Sequence, residues 1–506
     1  MFIRKKKNNS GSFTIQLVEK IHRQNSIKKT FGTSSIESEI EFFLSQAQAH
    51  LHFLSKQSSL DFSFEEDLDF IKNLRKGFKS IQVIGPELIL GKIFDSIGFF
   101  KISSDLFRHL VITRLIYPGS KLKTVDYLLQ YKGIYTNEDR IYRFMDHFKK
   151  ESEQKAIDIV YNHTKKILGN KIIISFYDVT TLYFEASNED DFRVTGFSKD
   201  GKPQHPQIVF ALLVGENGHP LAYEIYEGGK YEGHTLIPVI ERFKEKYNLS
   251  NLIVVADAGL LSKENIETLI KLKYPFILGG RPKNESDSIK SFILSQKYKN
   301  GTTITINKSE AVRLIINYSE KRAKKDEHNR SQGIKRLEKK FAKGFMKKEE
   351  INKRGYNKYL IIKAKVPVAI DYKAFERDKM WNGLKGYVTN CDLTAQQIMD
   401  HYKQLWNIEK AFRISKTDLM IRPIFHRLER RIKTHICLAF CSYKIYKELE
   451  RILKESKSEI TVEKAIRALK TIYEGTIILP ASKKQIKITL PLNAVQKELL
   501  KTFVVE

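Results

Sequence analysis

One acidic residue in an otherwise apolar run constrains this chain more than any other feature of its sequence. The run, residues 171–185, reads KIIISFYDVTTLYFE, and its β-branched and aromatic residues are typical of a buried strand. Asp178 lies in the middle of this run and shares one face of the strand with Phe176 and Thr180. A carboxylate in a core strand is costly unless it is paired, protonated or bound to a metal ion. Because the neighbouring residues carry no cation, we expect the partner of Asp178 to come from elsewhere in the chain.

The chain as a whole is strongly basic. With 88 Lys and Arg against 59 Asp and Glu among 506 residues, its formal net charge is +29. Such an excess favours a polyanionic partner, and nucleic acid fits better than a membrane because no strongly apolar amphipathic terminus accompanies the charge. A merely soluble basic protein is the alternative. Neither a signal sequence nor a run long enough to span a bilayer is present, so we expect a cytoplasmic protein.

Cysteine usage agrees with that compartment. Three cysteines in so long a chain are too few for a disulfide framework and indicate a reducing environment. Cys437 and Cys441 are one helical turn apart, but no fitting set of further ligands accompanies them. We therefore predict buried core thiols and not a metal pair.

The order of apolar segments predicts an α/β protein with an interrupted core. Beginning with the strand of Asp178, three strands in hairpin order are followed by helix, strand, helix and strand, which is typical of a partly parallel sheet with flanking helices. Six regions are predicted: a small β unit plus a helix (1–60), a helical region (61–165), the first part of the α/β core (166–284), a mainly β insertion (285–390), the second part of the core (391–450) and a C-terminal region (451–506).

Two basic segments are candidates for DNA contact. In the helical region, Thr136 and Asp139 predict a capping box for a short helix that carries Arg140 and Arg143. With the preceding helix it could form a helix-turn-helix whose second helix enters a DNA groove, and an ordinary solvated helix pair is an equal alternative. In the insertion, residues 320–353 predict a densely charged helix, which is either a solvated face or a second DNA contact.

A second carboxylate is out of place on a predicted helix near the end of the core. The helix begins at Thr394, whose capping-box partner is Gln397, and continues past Lys416. Its apolar stripe follows steps of three and four residues, and Glu409 occupies one of the positions on it. The stripe comprises Ile398, Tyr402, Leu405, Glu409, Phe412 and Lys416.

Three carboxylates can converge if that helix packs across the edge of the sheet. They are Asp178, Asp257 at the end of a parallel-type strand, and Glu409. Clustered carboxylates raise the pKa values of one another unless a cation neutralises them. Oxygen ligands alone favour Mg²⁺, or else Mn²⁺. Two such ions about 4 Å apart would support an in-line phosphoryl displacement on DNA.

Each carboxylate also has an ordinary explanation. Asp178 could hydrogen-bond to a neighbouring threonine. Asp257 could cap a helix, because Asp-Ala-Gly after a strand is a common strand-to-helix turn. Glu409 could pair with Arg413 or Lys416 along its helix. All three explanations together are less convincing than any one alone.

These residues carry a family resemblance. The strand order with Asp178, Asp257 and Glu409 resembles the RNase H-like core of DDE transposases. Tyr402, Glu409 and Lys416 are similar to the Tyr-x-x-Arg-x-x-x-Glu-x-x-x-x-x-x-Lys signature of the insertion-sequence-four group of bacterial transposases. The resemblance runs across most of the chain, but Leu405 occupies the position of the signature arginine.

The resemblance implies metal-dependent cleavage at the inverted-repeat ends of a transposon and attack of the freed 3′-hydroxyl on target DNA. The three carboxylates would be the catalytic metal ligands, with Mg²⁺ or Mn²⁺ as cofactor. Lys416 would hold a phosphate and Tyr402 would contact the DNA backbone. The contact of the signature arginine with the phosphate beside the cleavage site would either be absent or come from Arg413 or Lys403.

Because two transposon ends are cut together, the resemblance implies a homodimer bound to double-stranded DNA. No membrane partner is expected, and the protein would act in the cytoplasm of a prokaryote, at the nucleoid. Relatives release their element through a hairpin, and with Leu405 at the position of the signature arginine the use of a hairpin by this chain stays open. A DNA-binding protein that has lost catalysis and a structure-specific nuclease on the same core are the alternatives.

Overall fold

The computed structural model describes residues 1–21, 24–55, 62–249, 252–260, 262–343, 355–363, 366–479 and 482–504. It divides into two units, Met1–Ile81 with Gly475–Ile488 and Gln82–Glu474 with Thr489–Glu506. Within the ranges described, no helix combines the length and the apolar character needed to cross a membrane.

The first unit begins with the small β structure that the sequence predicts. Three antiparallel strands lie in the order β1, β2, β3, and helix α1 packs on them through Ile15, Ile40 and Ala47. Strand β4 ends the segment and interrupts the region that was predicted to be helical. The elements are β1 (Phe2–Lys7), β2 (Phe13–Ile21), β3 (Gln24–Ser34), α1 (Glu37–Ser55), α2 (Phe62–Gly77) and β4 (Phe78–Val83).

The second unit opens with five helices, as the sequence predicts for most of the region 61–165. They are α3 (Lys92–Ile97), α4 (Asp105–Ile116), α5 (Lys121–Lys132), α6 (Glu138–His147) and α7 (Lys150–Ile167). Helix α5 ends at Gly133, whose left-handed φ of 64° no β-branched residue would tolerate readily. The cap of α6 is Asn137 and not Thr136, because the Asn137 side chain accepts the backbone N–H of Arg140.

A mixed sheet with helices on both faces confirms the predicted fold class. In its central part β5, β8 and β9 are parallel neighbours, while β6 and β7 continue the sheet antiparallel beyond β5. The elements of this part are β5 (Ile174–Tyr183), β6 (Gln207–Val214), β7 (Pro220–Glu227), α8 (Leu236–Tyr247), β8 (Ile253–Ala256), α9 (Lys263–Lys271) and β9 (Phe276–Gly280).

The insertion contributes strands to this same sheet. Its strands β14, β11 and β10 follow β9 in antiparallel order and complete an eight-stranded sheet, because their alternating apolar residues extend both cores. Residues 344–353 of its predicted charged helix lie outside the described part. The elements are α10 (Asp287–Ser295), β10 (Thr303–Asn307), β11 (Arg313–Tyr318), α11 (Glu320–Ala342), β12 (Leu360–Lys363), β13 (Val366–Ile370), α12 (Tyr372–Arg377) and β14 (Leu384–Thr389).

The last part of the chain is mainly helical. Helix α15 is buried along most of its length, and Cys437 and Cys441 on it are free, buried thiols, as predicted. Strands β16, β15 and β4 form a separate three-stranded sheet. The elements are α13 (Ala395–Lys403), α14 (Trp406–Arg413), α15 (Glu429–Glu455), α16 (Val462–Leu469), β15 (Tyr473–Ile478), β16 (Gln485–Thr489) and α17 (Ala494–Val504).

Strand β5 shows how the sequence divides the two cores. Ile174, Phe176 and Leu182 face the core that contains α4, α14 and α15, while Tyr177 and Val179 face the core formed with α8 and α9. Period-two alternation therefore sends Asp178 toward the face covered by α14 and α15.

Candidate active site

Asp178 and Asp257 lie side by side because of the register of two parallel strands. The last pair in the ladder between β5 and β8 is Tyr177 with Ala256, and the two aspartates are the next residues on each strand. Parallel strands place their carboxyl ends at the same edge of a sheet. The charge of Asp257 contributes to the raised pKa of Asp178, which agrees with this proximity. The structure thus brings together the first two predicted carboxylates.

The Asp178 carboxylate is poorly compensated. Its Oδ1 accepts the backbone N–H of Val179 at 2.7 Å, and the ammonium of Lys199 lies 3.7 Å away. No described hydrogen bond joins Asp178 to a threonine, so that explanation fails. Burial, opposed mainly by the charge of Lys199, raises the pKa of Asp178 to about 6. A further cation would stabilise the ionised form.

Lys199 is the partner that the sequence did not reveal. It comes from the segment between β5 and β6, and its Nζ also lies 3.1 Å from Oε1 of Glu232 and 2.5 Å from the carbonyl oxygen of Val179. Glu232 is a fourth carboxylate near Asp178, and its charge also raises the pKa of that residue. Neither residue lies in a periodic segment, so no pattern indicated that they would meet Asp178.

Asp257 is held by a residue of the signature helix. The Tyr402 hydroxyl donates to Oδ1 of Asp257 at 2.9 Å, and the cap of the following helix is Ser262. The helix-cap explanation for Asp257 is therefore wrong. A Cβ at Gly279 would lie 2.4 Å from the Tyr402 hydroxyl, so only glycine leaves room for this contact. The hydroxyl that was predicted to contact DNA is thus engaged with a carboxylate.

Glu409 is exposed, and its predicted place on the apolar stripe is wrong. Helix α13 ends at Lys403 and α14 begins at Trp406, with hydrogen bonds between residues three apart across the junction. A tighter turn rotates the following residues further about the axis than an α-helix does. Ile408 is consequently buried one position before Glu409. No described ion pair joins Glu409 to Arg413 or Lys416, so that explanation also fails.

Glu409 nevertheless acts electrostatically on two of the side chains beside Asp257. Helix α14 packs on β5, and α13 packs on β8 and β9. Burial and the charge of Asp257, with a further contribution from Glu409, raise the pKa of the Tyr402 hydroxyl. Both carboxylates also favour the charged form of Lys385 on β14. Tyr402 and Lys385 therefore lie in the electrostatic field of Asp257 and Glu409 together.

Lys416 is not free to hold a phosphate in this structure. Its Nζ donates to Oδ1 of Asp200 at 3.0 Å, and Nε of Arg422 lies 3.2 Å from Oδ2 of the same residue. The side chains of Lys416 and Asp200 are only 12% and 10% exposed. A role of Lys416 at DNA stays a prediction that requires this pair to open.

The other predicted DNA contacts are accessible. Arg140 and Arg143 are exposed on α6, while Ile141 and Met145 on the opposite side of that helix are buried. Arg413 is exposed on α14. The helix α11 carries nine Lys or Arg against four Asp or Glu.

The chemistry of the donor set suits a divalent cation. Among the residues that the structure describes, no group of three or more His, Cys, Asp or Glu is placed to hold a metal ion. Mg²⁺, however, is usually bound by one or two carboxylates together with water and substrate phosphate, so a closed protein cage is not required. Asp178, with its raised pKa and its oxygen ligand neighbours Asp257 and Glu232, fits such a site.

Comparison with known proteins decides the family. Residues 169–445, more than half of the chain, match the Transposase DDE domain family. The chain belongs to the DDE transposase family. The matched residues include Asp178, Asp257 and Glu409. Membership of the insertion-sequence-four group stays a prediction.

Two solved transposase structures are similar to this chain. A synaptic complex of the piggyBac transposase with hairpin DNA has a TM-score of 0.40 and 10% identity, and the similarity covers 83% of this chain and 84% of that one. A paired-end complex of the Mos1 transposase with its left transposon end has a TM-score of 0.16 and 10% identity, and the similarity covers 34% of this chain and 58% of that one. No curated protein sequence matches this DDE transposase.

Proposed function

We propose that this DDE transposase cuts DNA at the inverted-repeat ends of a mobile element and joins the freed 3′-hydroxyl to target DNA. The observation that carries the proposal is the pairing of Asp178 and Asp257 at the ends of adjacent parallel strands, with Glu409 on the helix packed across that edge. All three residues lie within the range that matches the family.

Asp178, Asp257 and Glu409 are the residues that would hold a divalent cation. Their oxygen ligands suit Mg²⁺, or else Mn²⁺, which when bound would activate the attacking oxygen and stabilise the leaving one. Tyr402 orients Asp257 through its hydroxyl, so the second carboxylate keeps one direction before DNA arrives. Lys199 neutralises part of the charge of Asp178 and Glu232 in the absence of DNA.

DNA binding is supported by charge. The net charge of +29 favours association with a polyanion, and the exposed arginines of α6 and the basic helix α11 are available for phosphate contact. Cutting two ends in one event requires two active sites, so the acting form is a homodimer on DNA. In a prokaryotic cell the reaction takes place in the cytoplasm, at the nucleoid.

Three functions are separated by one assay. The purified protein is incubated with Mg²⁺, a duplex that ends in the terminal repeat bordering its coding region, and a supercoiled target plasmid. A transposase cuts at the repeat and yields plasmid joined to the duplex. A structure-specific nuclease cuts but yields no joined product, and a DNA-binding protein without catalysis retards the duplex but leaves it intact. Either of the last two results overturns the proposal.

A further inference from the structure

Lys385 holds an unusual position beside the acidic residues. It lies on β14, between β9 and β11 in the sheet, and its side chain is half-buried. Its Nζ lies 4.3 Å from the centre of the Tyr402 ring and 5.3 Å from the centre of the Tyr387 ring. The two rings meet edge to face, 5.1 Å apart. A cation over aromatic faces is attracted by their quadrupole, so the ammonium has a defined place.

The charges around Lys385 oppose one another. Burial and the charge of Arg322 lower the pKa of Lys385, while the charges of Asp257 and Glu409 favour its protonated form. In the part of the chain that the structure describes, no hydrogen bond and no ion pair involves its ammonium group. The three N–H donors of Lys385 therefore have no acceptor among the described protein groups, and they are available to a ligand.

The other lysines beside the carboxylates are engaged. Lys199 contacts Asp178, Glu232 and the Val179 carbonyl, and Lys416 is paired with Asp200. Lys385 differs from these two lysines, because no described hydrogen bond or ion pair involves its ammonium group. Tyr402 connects it to the catalytic group, because the hydroxyl of this tyrosine holds Asp257 and the face of its ring holds Lys385.

We propose that Lys385 binds a phosphate of the DNA strand that is cut, at the side of the site that Tyr402 and Asp257 form. The inference rests on the proposed function and names the residue that receives its substrate. A phosphate supplies several acceptor oxygens and a negative charge, which together satisfy the free donors of Lys385.

A second role for Lys385 must be separated from this one. The residue could act only as a counter-charge for Asp257 and Glu409, without touching DNA. Salt dependence distinguishes the two, because each phosphate contact releases counterions from DNA whereas an internal counter-charge does not.

The experiment measures the equilibrium binding of the full chain to the terminal-repeat duplex without metal over a range of NaCl concentrations. Wild type is compared with Lys385→Met, Lys385→Gln and Lys385→Arg. Lys263→Met is the matched control, since the Lys263 side chain is 91% exposed on α9 and its ion pair among the described residues is with Glu267. Thermal unfolding confirms that each variant is folded, and Lys385→Gln keeps a polar side chain if Lys385→Met does not fold.

Removal of one phosphate-binding cation reduces the slope of log affinity against log salt by about 0.9 in Lys385→Met and Lys385→Gln. Their cleavage rate with Mg²⁺ falls about 10- to 100-fold, while Lys385→Arg and Lys263→Met keep the wild-type slope. An unchanged slope in both neutral variants overturns the inference, including the case in which only their Mg²⁺ requirement changes. A wild-type protein that neither binds nor cuts the duplex overturns the proposed function itself, and this inference with it.

Discussion

The hydroxyl of Tyr402 donates a 2.9 Å hydrogen bond to the carboxylate of Asp257. The two residues come from distant parts of the chain, one from α13 and the other from the end of β8. The helix that leads to Glu409 thus also fixes the direction of the second aspartate. A carboxylate on an exposed strand end would otherwise be free to rotate, so this contact fixes the direction of Asp257.

Tyr402→Phe tests that positioning role. The ring remains packed, but the variant cannot form the hydrogen bond to a charged group, which is worth about 1.5–3 kcal/mol. We expect a folded protein whose cleavage rate is about 10- to 100-fold lower than that of wild type. The Mg²⁺ concentration that gives half of the maximal rate should be higher than for wild type. The measurement is the single-turnover cleavage rate of the terminal-repeat duplex as a function of Mg²⁺ concentration.

Tyr387→Phe is the control for Tyr402→Phe. It removes a hydroxyl from the neighbouring ring, and no described hydrogen bond involves that hydroxyl. We expect wild-type cleavage at every Mg²⁺ concentration. If Tyr402→Phe also cuts at the wild-type rate throughout, the hydrogen bond to Asp257 has no part in catalysis.

Asp200 is expected to stabilise the fold because it neutralises two cations. Asp200→Asn leaves the nearly buried Lys416 and the more exposed Arg422 without their carboxylate partner, and breaking a buried pair costs about 3–5 kcal/mol. Urea unfolding should show this decrease in stability, and the double variant Asp200→Asn with Lys416→Met should recover part of it. Asp287→Asn, which changes a side chain that is 97% exposed, should alter the stability by no more than about 0.5 kcal/mol. Equal effects of the two single variants would show that the Asp200 pairs contribute nothing.

Four histidines make the stability fall in acid. Burial, with nearby lysines and arginines, lowers the pKa of His163 to about 4, of His219 to about 2 and of His426 to about 3, and places that of His435 well below its ordinary value. The folded protein keeps them neutral, whereas the unfolded chain protonates them near pH 6.5. Their contribution is complete above that pH and is lost as the pH falls, by about 1.4 kcal/mol per histidine and pH unit.

The melting temperature between pH 7.5 and pH 5 measures this effect. We expect it to drop, and the drop to become smaller in His219→Gln, which removes one of the four titrating groups. The pKa of His109 is also lowered by burial and adds to this effect, whereas burial raises the pKa values of Asp178, Glu224 and Asp418, which act in the opposite direction. A melting temperature that is constant or rises toward pH 5 would show that the histidines are protonated in the folded state.

The strands of the core could be predicted from sequence because their side chains alternate between two buried faces. From β5 to β9 each predicted strand is present, and the parallel order that brings Asp178 next to Asp257 follows from the succession of strands and helices. The contact between Tyr402 and Asp257 could not be predicted from these patterns. It depends on the packing of α13 on β8 and β9, and on the space that Gly279 leaves.

The parts that were missed lie where periodicity ends. The turn at Gln404 and Leu405 changes the direction in which the following side chains point. The prediction assumed one continuous α-helix, with apolar residues at steps of three and four, and therefore placed Glu409 in the core. Lys199 and Asp200 lie in an irregular segment, and their partners are set by the tertiary fold. In the sequence, Lys385 has the pattern of an ordinary strand residue. Its place over the ring of Tyr402 is set by the tertiary fold.

We propose that Asp178, Asp257 and Glu409 act together in DNA cleavage. The most direct test is the Mg²⁺-dependent cleavage rate of the terminal-repeat duplex for Asp178→Asn, Asp257→Asn and Glu409→Gln, each shown to be folded and to bind the duplex. Asp400→Asn is the control, since Asp400 is an exposed acid on α13 paired with Lys403. We predict a decrease of at least about 100-fold in each of the three variants and none in the control. Wild-type cleavage by Asp178→Asn or Glu409→Gln would contradict the claim.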